Sequence, residues 1–211
     1  TLKRRKLQGV ILVSDSSPQH QTWRQAFARL LEDEKVAVVL LAEWEPFLHA
    51  YPFICHPEQI ADAPYYPSEI ITPAKGHGGL YLSGYQVPTN PDVLRHLNIK
   101  RIIDASTLDD IREQWAYSGI RYMTIDIEDD PDDNVAQYFP AAIAFISEGL
   151  EAGEGVLVHC MAGASRSASI VMAFIMQREG WPIERGYDYV YGNRNQVYVN
   201  LGFRRQLADW E

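Results

Sequence analysis

The stretch that determines the fold of this chain lies in its last third, where an apolar segment runs into a helical pattern. It reads, without interruption, Val156-Leu157-Val158-His159-Cys160-Met161-Ala162-Gly163-Ala164-Ser165-Arg166-Ser167. The β-branched and apolar residues end at one cysteine, small or uncharged residues follow, and an arginine opens a pattern of apolar residues at helical spacing. The stretch therefore predicts a strand, a tight loop and a helix in immediate succession.

A loop at such a junction is suited to binding an oxyanion. Its backbone N–H groups and the positive end of the helix dipole point toward one place. Cys160 lies at the base of this cradle, where the field favours thiolate over thiol. Arg166 can return to the mouth and hold two phosphate oxygens, while Gly163 lets the backbone turn. A lone cysteine at a strand end is most often only a buried side chain, but the glycine and the hydroxyls of Ser165 and Ser167 favour a nucleophile here.

The order His-Cys-x-Ala-Gly-x-Ser-Arg-Ser resembles the signature of cysteine-dependent phosphatases and is very similar to that of the dual-specificity protein phosphatases. The resemblance covers residues 66–211 and includes "LYLSG" at 80–84 and "NIKRIIDAS" at 98–106. It implies an α/β cysteine-phosphatase fold over residues 68–211, with a central, mostly parallel twisted sheet flanked by helices. Asp104 stands where the family often has asparagine, and Val199 where it usually has proline. We expect these departures to alter local hydrogen bonding and packing without loss of chemistry.

The pattern of apolar residues after residue 68 predicts the elements of this domain. Helices are predicted over 91–97 and 135–151, with Phe139, Ala142 and Phe145 on the buried face of the second. Strands are predicted from residue 70 and over 79–84, 101–106, 121–127 and 156–158. The alternation of the two kinds of element predicts a parallel sheet.

Residues 1–57 carry a separate α/β pattern. Strands are predicted over 10–13 and 36–41, and helices over 19–32 and 44–51. The closing stretch resembles the end of the rhodanese-like domain that precedes the catalytic domain of mitogen-activated protein kinase phosphatases, so residues 1–57 are predicted to be a partial rhodanese-like segment. The loop at 14–18 lacks the cysteine of a sulfurtransferase, so no sulfur transfer is expected. The proline-rich residues 58–67 are predicted to be a linker.

An acid must protonate the oxygen that leaves when a thiolate attacks a phosphoester. The acidic segment before the second long helix offers six carboxylates: Asp126, Glu128, Asp129, Asp130, Asp132 and Asp133. The family pattern of alternating strand, aspartate and short loop, followed by Asn134 and an aromatic pair at 138–139, implies Asp129, with Asp130 as the alternative. The cluster could also hold a cation, although a flexible acidic loop is the commoner explanation.

The resemblance implies four catalytic residues: Cys160 as nucleophile, Arg166 as phosphate clamp, Asp129 as acid and then base, and Ser167 as hydrogen-bond donor to the departing sulfur. His159 is expected to orient the loop and tune the thiolate. The substrate-binding residues implied are His159, Met161, Ala162, Gly163, Ala164, Ser165 and Arg166. Neither a metal ion nor another cofactor is implied.

The function implied by the resemblance is a protein phosphatase that hydrolyses phosphotyrosine and phosphoserine or phosphothreonine through a phosphocysteine intermediate. A loop without lysine disfavours highly charged phosphoinositides as substrates. The alternative is a catalytically weak, pseudophosphatase-like scaffold that binds phosphoproteins or kinases. The segments around Trp44 and at 65–67 resemble serine/threonine/tyrosine-interacting-like proteins, whose relatives can lack the cysteine that this chain carries at Cys160.

Composition limits the partners. The 211 residues carry a formal net charge of -9, which argues against general nucleic-acid binding, and no apolar run predicts a membrane span. Two distant cysteines, Cys55 and Cys160, predict no disulfide framework, so a reducing compartment, cytoplasmic or nuclear, is expected. The basic cluster Lys3, Arg4, Arg5 and Lys6 is either a solvated chain start or a docking motif for an acidic groove on a mitogen-activated protein kinase.

Overall fold

The computed structural model describes residues 9–13, 37–41, 65–107 and 116–211. The chain divides into two compact units, Thr1–Ala63 and Pro64–Glu211. Several predictions lie outside the described residues: the basic cluster at 3–6, the helices over 19–32 and 44–51, Cys55, and the linker up to residue 64.

In the first unit two short strands pair in parallel. β1, Gly9–Val13, runs alongside β2, Ala37–Leu41, with Gly9 opposite Ala37 and Val13 opposite Leu41. The sequences of both strands are apolar almost throughout, which is typical of strands in parallel sheets. The two predicted strands are confirmed, while the resemblance to a rhodanese-like segment stays a prediction.

The second unit contains a five-stranded sheet, whose strands are β3 Ser68–Ile71, β4 Leu80–Ser83, β5 Ile99–Asp104, β6 Arg121–Thr124 and β7 Gly155–His159. Their order across the sheet is β3-β4-β7-β5-β6. β3 pairs antiparallel with β4, and every other pairing in this sheet is parallel. The predicted α/β fold with a mostly parallel sheet is therefore confirmed.

Five helices lie in the described part of this unit, where they flank the sheet or follow it. They are α1 Pro91–His96, α2 Phe139–Glu151, α3 Arg166–Glu179, α4 Ile183–Asn193 and α5 Leu201–Trp210. None of these described helices combines the length and the apolar character needed to cross a bilayer. α3 is the central helix, because every residue from Arg166 to Met176 is buried. β7 is buried at all five positions, since it lies between β4 and β5.

Two predicted strands extend too far. β5 ends at Asp104 rather than at 106, because the Asp104 side chain accepts a hydrogen bond from the backbone N–H of Ser106 at 2.8 Å and turns the chain. β6 ends at Thr124 rather than at 127. Its last ladder bond is donated by the N–H of Ile125 to the Asp104 carbonyl, at the point where β5 also ends.

The helix predicted from residue 135 begins later. A 3-10 turn at Ala136–Tyr138 precedes α2, which begins at Phe139 because proline suits the first turn of a helix. Phe139 and Ala142 are buried as predicted, and Phe145 is half-buried and packs against the same core. The guanidinium of Arg101 also lies over the ring of Phe145, with the guanidinium carbon 4.9 Å from its centroid.

Candidate active site

The candidate site lies where three parallel strands end. The register places Ser83 of β4 and Asp104 of β5 on either side of His159, the last residue of β7. The chain then passes through residues 160–165 and enters α3 at Arg166. We call residues 160–165 the phosphate loop. The carboxyl edge of a parallel sheet is where ligands bind in such folds, so the predicted strand, loop and helix form a site in the expected place.

The sulfur of Cys160 accepts hydrogen bonds from two groups of this loop and helix. The backbone N–H of Gly163 donates at 3.2 Å and the hydroxyl of Ser167 donates at 3.1 Å. The cysteine is a free thiol and is 2% exposed. Hydrogen bonds donated to sulfur stabilise its negative charge. The Ser167 hydroxyl therefore lies where the sequence predicted it, at hydrogen-bond distance from the Cys160 sulfur.

Gly163 is required by the backbone and by its neighbour. Its φ of 69° lies in the left-handed region that favours glycine. A Cβ at this position would overlap the carbonyl of Ser83 at the end of β4. The phosphate loop therefore packs directly on the sheet, and this contact directs the N–H of Gly163 toward the sulfur.

Arg194, which sequence reasoning missed, holds the outer side of the same loop. Its Nε donates to the carbonyl of Gly163 at 2.8 Å and its Nη2 to that of Ala162 at 2.9 Å. Burial lowers the pKa of the Arg194 guanidinium, and the negative charge of the Cys160 thiolate opposes that shift. Arg194 thus engages the loop carbonyls and adds positive charge beside the sulfur. No local sequence pattern marks it, because it follows α4, far along the chain.

Arg166 is buried, 7% exposed, at the start of α3. Its Nη1 donates to the carbonyl of Ile127 at 3.3 Å and to the Thr107 hydroxyl at 3.4 Å. Its Nε is buried and has no hydrogen-bond acceptor among the described residues. Leaving a buried N–H unpaired is costly, so this guanidinium retains capacity to bind an anion.

Asp129 is the carboxylate that reaches the phosphate loop. Its Oδ1 accepts hydrogen bonds from the Ser165 hydroxyl at 2.6 Å and from Nδ2 of Asn200 at 2.8 Å. Asn200 was not predicted as a site residue, although an asparagine directly before a helix is a recognisable N-cap. The structure thus joins Asp129 to the loop that carries Cys160.

The alternative acid, Asp130, forms hydrogen bonds with the backbone of its own loop. Its Oδ1 accepts the N–H of Asp132 at 2.8 Å and its carbonyl accepts the N–H of Asp133 at 3.1 Å. Asp133 in turn accepts the N–H of Glu128 at 2.9 Å. These bonds shape the turn within residues 126–136, which we call the acidic loop. The described residues contain no group of three or more histidine, cysteine, aspartate or glutamate side chains arranged to hold a metal ion.

The remaining predicted loop residues divide by exposure. Met161 and Ala162 are exposed, Ala164 is half-buried and Ser165 is buried. His159 is only 1% exposed, and its Nε2 lies 3.5 Å from Oδ1 of Asp104. His159 therefore lies under the phosphate loop rather than on its accessible surface, and the Asp104 departure supplies it with a carboxylate neighbour.

A buried thiol at the end of a central parallel strand, followed by a loop and a helix that begins with a buried arginine, defines the cysteine-dependent phosphatase class of site. Comparison with known proteins gives the family. Residues 80–211 match the family model described as "Dual specificity phosphatase, catalytic domain". The chain belongs to this family, as the predicted resemblance implied.

Individual relatives agree with this assignment. Human dual specificity protein phosphatase 7 is 36% identical over 133 residues, 63% of this chain and 31% of that protein. Dual specificity protein phosphatase 22 of Xenopus laevis is 36% identical over 132 residues, 63% of this chain and 61% of that protein. The chain therefore spans less than two thirds of the length of either relative.

A solved structure is similar over most of its own length. The crystal structure of human tyrosine phosphatase-like serine/threonine/tyrosine-interacting protein is 32% identical, with a TM-score of 0.58. The match covers 66% of this chain and 93% of that one. The likeness supports the family fold for the second unit.

Proposed function

We propose that this chain is a protein phosphatase that hydrolyses phosphotyrosine and phosphoserine or phosphothreonine through a phosphocysteine intermediate. The observation that carries the proposal is the contact set of the phosphate loop. The Cys160 sulfur accepts bonds from Gly163 and Ser167, and Asp129 is hydrogen-bonded to Ser165 of the same loop. Membership of the dual specificity phosphatase family supports the same activity.

In the first step the Cys160 thiolate attacks phosphorus in line with the bond to the leaving oxygen. The sulfur–phosphorus bond forms as the phosphorus–oxygen bond breaks, and Asp129 gives its proton to the leaving oxygen. The loop N–H groups and Arg166 stabilise the charge on the three equatorial oxygens. These donors are already oriented, because Arg194 engages the loop carbonyls.

In the second step Asp129, now a carboxylate, removes a proton from the water that attacks phosphorus. The sulfur–phosphorus bond breaks and inorganic phosphate leaves. The Ser167 hydroxyl, 3.1 Å from the sulfur, stabilises the departing thiolate. These residues complete the cycle with water as the only co-reactant.

Replacement of the nucleophile tests the proposal. Cys160→Ser should abolish turnover of an aryl phosphate while a phosphotyrosyl peptide still binds, because the phosphate loop and Arg166 remain. Rapid acid quenching of the wild-type enzyme with a radiolabelled aryl phosphate should trap label on Cys160. Wild-type turnover by the Cys160→Ser variant would falsify the proposed nucleophile. A wild-type protein that binds phosphopeptides without any turnover would favour the scaffold alternative.

The substrate class is proposed to be phosphorylated protein. The relatives' names support it, as does a phosphate loop whose exposed residues, Met161 and Ala162, carry no charge to bind further phosphate groups. Turnover of phosphotyrosyl and phosphothreonyl peptides should exceed that of a phosphoinositide presented in vesicles. The reverse preference would contradict the proposed substrate class.

We also propose roles for the segments that precede the catalytic domain, most of which lie outside the described residues. Residues 1–57 are proposed to be a partial rhodanese-like segment joined to the catalytic domain by residues 58–67. The cluster Lys3, Arg4, Arg5 and Lys6 is proposed to dock a mitogen-activated protein kinase, since it is strongly basic in a chain of net charge -9. Changing these four residues to glutamate should weaken kinase binding and leave aryl phosphate turnover unchanged. Equal kinase affinity would remove the docking proposal.

The proposed compartment is the cytoplasm, the nucleus or both. The support is chemical, because a cysteine nucleophile needs reducing surroundings to remain a thiolate. Imaging of the tagged full-length protein tests this, and an oxidising, secreted location would contradict it.

A further inference from the structure

Asn200 is the N-cap residue of α5, and its side-chain amide has two partners. Its Oδ1 accepts the backbone N–H of Phe203 at 2.9 Å, and its Nδ2 donates to Oδ1 of Asp129 at 2.8 Å. A backbone N–H can only donate, so the helix decides which end of the amide faces inward. The capping bond therefore directs the NH₂ group at the Asp129 carboxylate.

The backbone of the same residue orients a second donor. The N–H of Asn200 donates to the Ser165 hydroxyl oxygen at 3.1 Å, and that hydroxyl donates to Oδ1 of Asp129 at 2.6 Å. Because Ser165 Oγ accepts a hydrogen bond from the Asn200 N–H, its own hydroxyl hydrogen is directed at the carboxylate. Both hydrogen bonds to Asp129 thus depend on the position of one residue at the start of α5.

Two further contacts bind α5 to the acidic loop. A Cβ at Gly202 would overlap the carbonyl of Pro131, so the first turn of α5 packs on the loop backbone. The Gln206 side chain donates to the carbonyl of Asp133 at 2.7 Å and accepts the N–H of Ala136 at 3.0 Å. α5 therefore contacts the acidic loop from Asp129 to Ala136.

We propose that Asn200 is a positioning residue for the acid Asp129, a role that rests on the proposed phosphatase function. Both donors bind Oδ1, so the proton of the acid form is confined to Oδ2, which carries it to the leaving oxygen. Proton transfer requires hydrogen-bond reach in the transition state, and a carboxyl displaced by about 1 Å loses much of its effect. Asn200 thereby couples the N-terminus of α5 to leaving-group protonation.

A general acid matters most when the leaving group is poor, so the test is a series of aryl phosphates of rising leaving-group pKa. Wild-type kcat/KM should depend weakly on that pKa. In Asn200→Ala, kcat/KM should fall about tenfold below wild type for phenyl phosphate and less than about twofold for p-nitrophenyl phosphate. The tenfold loss is smaller than the whole contribution of a general acid, because Asp129 is displaced but still present. Asp129→Asn, which cannot protonate the leaving oxygen, gives the dependence of kcat/KM on leaving-group pKa that is expected when the acid is lost completely.

Two variants separate positioning from capping. Asn200→Asp keeps a capping oxygen but has no NH₂ donor, so it should show the same steeper dependence as Asn200→Ala. Asn90→Ala is the matched control, because Asn90 caps α1 through the N–H groups of Asp92 at 3.1 Å and Val93 at 3.3 Å. It should lose helix stability and retain the wild-type dependence on leaving group.

The outcomes are distinguishable. A uniform decrease across the series in Asn200→Ala and Asn200→Asp, or a wild-type profile in both, would overturn the positioning role while leaving the phosphatase function intact. If Asn200→Ala does not fold, Asn200→Asp decides. A wild-type protein without activity on any aryl phosphate would reject the proposed function itself, and the positioning role with it.

Discussion

Two buried arginines of the second unit, Arg101 in β5 and Arg166 at the start of α3, differ in their hydrogen bonds. Arg101 of β5 is 4% exposed and is well supplied with partners. Its Nε donates to Glu154 at 2.9 Å, and its Nη1 donates to Glu148 at 2.9 Å and to the carbonyl of Phe145 at 3.2 Å. Two carboxylates thus neutralise this guanidinium, and the Phe145 ring covers it.

Arg166 is similarly buried, at 7%, but has long bonds to a carbonyl and a hydroxyl. Among the described residues it forms no ion pair with a carboxylate, and its Nε has no acceptor. A buried charge without a counterion is costly to the fold unless a ligand supplies one. An arginine whose N–H groups are paired with carboxylates, which we call saturated, stabilises the domain. An unsaturated arginine, with a buried N–H left unpaired, retains capacity to bind an anion.

Of the changes considered, a substitution at Arg166 should reduce phosphatase activity the most. Arg166→Lys should lower kcat/KM for an aryl phosphate by about 10³-fold, because a lysine point charge cannot make the planar two-point contact with phosphate oxygens. Steady-state kinetics measures this, with Arg101→Lys as control, whose activity per folded molecule should be unchanged. A loss of less than about threefold in Arg166→Lys would end the functional contrast between the two residues.

The second effect is on stability at the saturated arginine. Arg101→Ala should reduce the free energy of unfolding by about 3 kcal/mol, because the buried guanidinium and its bonds to Glu148 and Glu154 are lost and Glu154 keeps only Arg121 as a partner. Urea denaturation followed by circular dichroism measures the loss. The folded fraction should retain wild-type kcat/KM. A stability equal to wild type would contradict the structural role of Arg101.

A pair of glycines extends the comparison to the backbone. Gly163 and Gly153 have φ values of 69° and 72°, but only a Cβ at Gly163 would meet other atoms within 4 Å. Gly153→Ala should lose about 1 kcal/mol of stability from backbone strain, and Gly163→Ala should lose more because its Cβ would also overlap the Ser83 carbonyl. Gly163→Ala should in addition lose most of its phosphatase activity, because the loop must leave the Ser83 carbonyl. Equal activity in the two variants would show that the loop tolerates that displacement.

The ion pair between Arg101 and Glu154 should also make stability depend slightly on pH, and we expect this effect to be the smallest of the four. Burial by itself raises the pKa of Glu154, but hydrogen bonds and charge from Arg101 and Arg121 outweigh it and leave the pKa below its ordinary value. A lowered folded-state pKa gives stability that is present above the usual glutamate value of about 4.3 and is lost as pH falls through the lowered value. Urea midpoints of wild type and Glu154→Gln should therefore converge in acid. A constant difference between them down to low pH would contradict this linkage.

Much of the site could be predicted because it is local in the chain. Cys160, Arg166 and Ser167 lie on one strand, loop and helix, so their spacing determines their arrangement. Asp129 needed the resemblance to a family to distinguish it from five other carboxylates. The structure separates it from Asp130 through the contacts of Asp129 with Ser165.

What sequence reasoning missed depends on contacts between distant segments. Arg194 and Asn200 reach the loop only because α4 and α5 pack beside α3. Helical spacing predicted that Phe145 faces the core, but it could not predict that Arg101 of β5 covers its ring, because the two residues lie far apart in the chain. Strand ends were overestimated because apolar residues continue past the last ladder bond.

The order of residues was enough to predict the strand-loop-helix that carries Cys160 and the alternation of strands and helices, because both arise from short-range periodicity and turn chemistry. Packing between distant segments selects which arginine is neutralised, which carboxylate reaches the phosphate loop and which residues hold it there. Those outcomes depend on distances between side chains far apart in the chain, and hydrophobic periodicity contains no information about such distances.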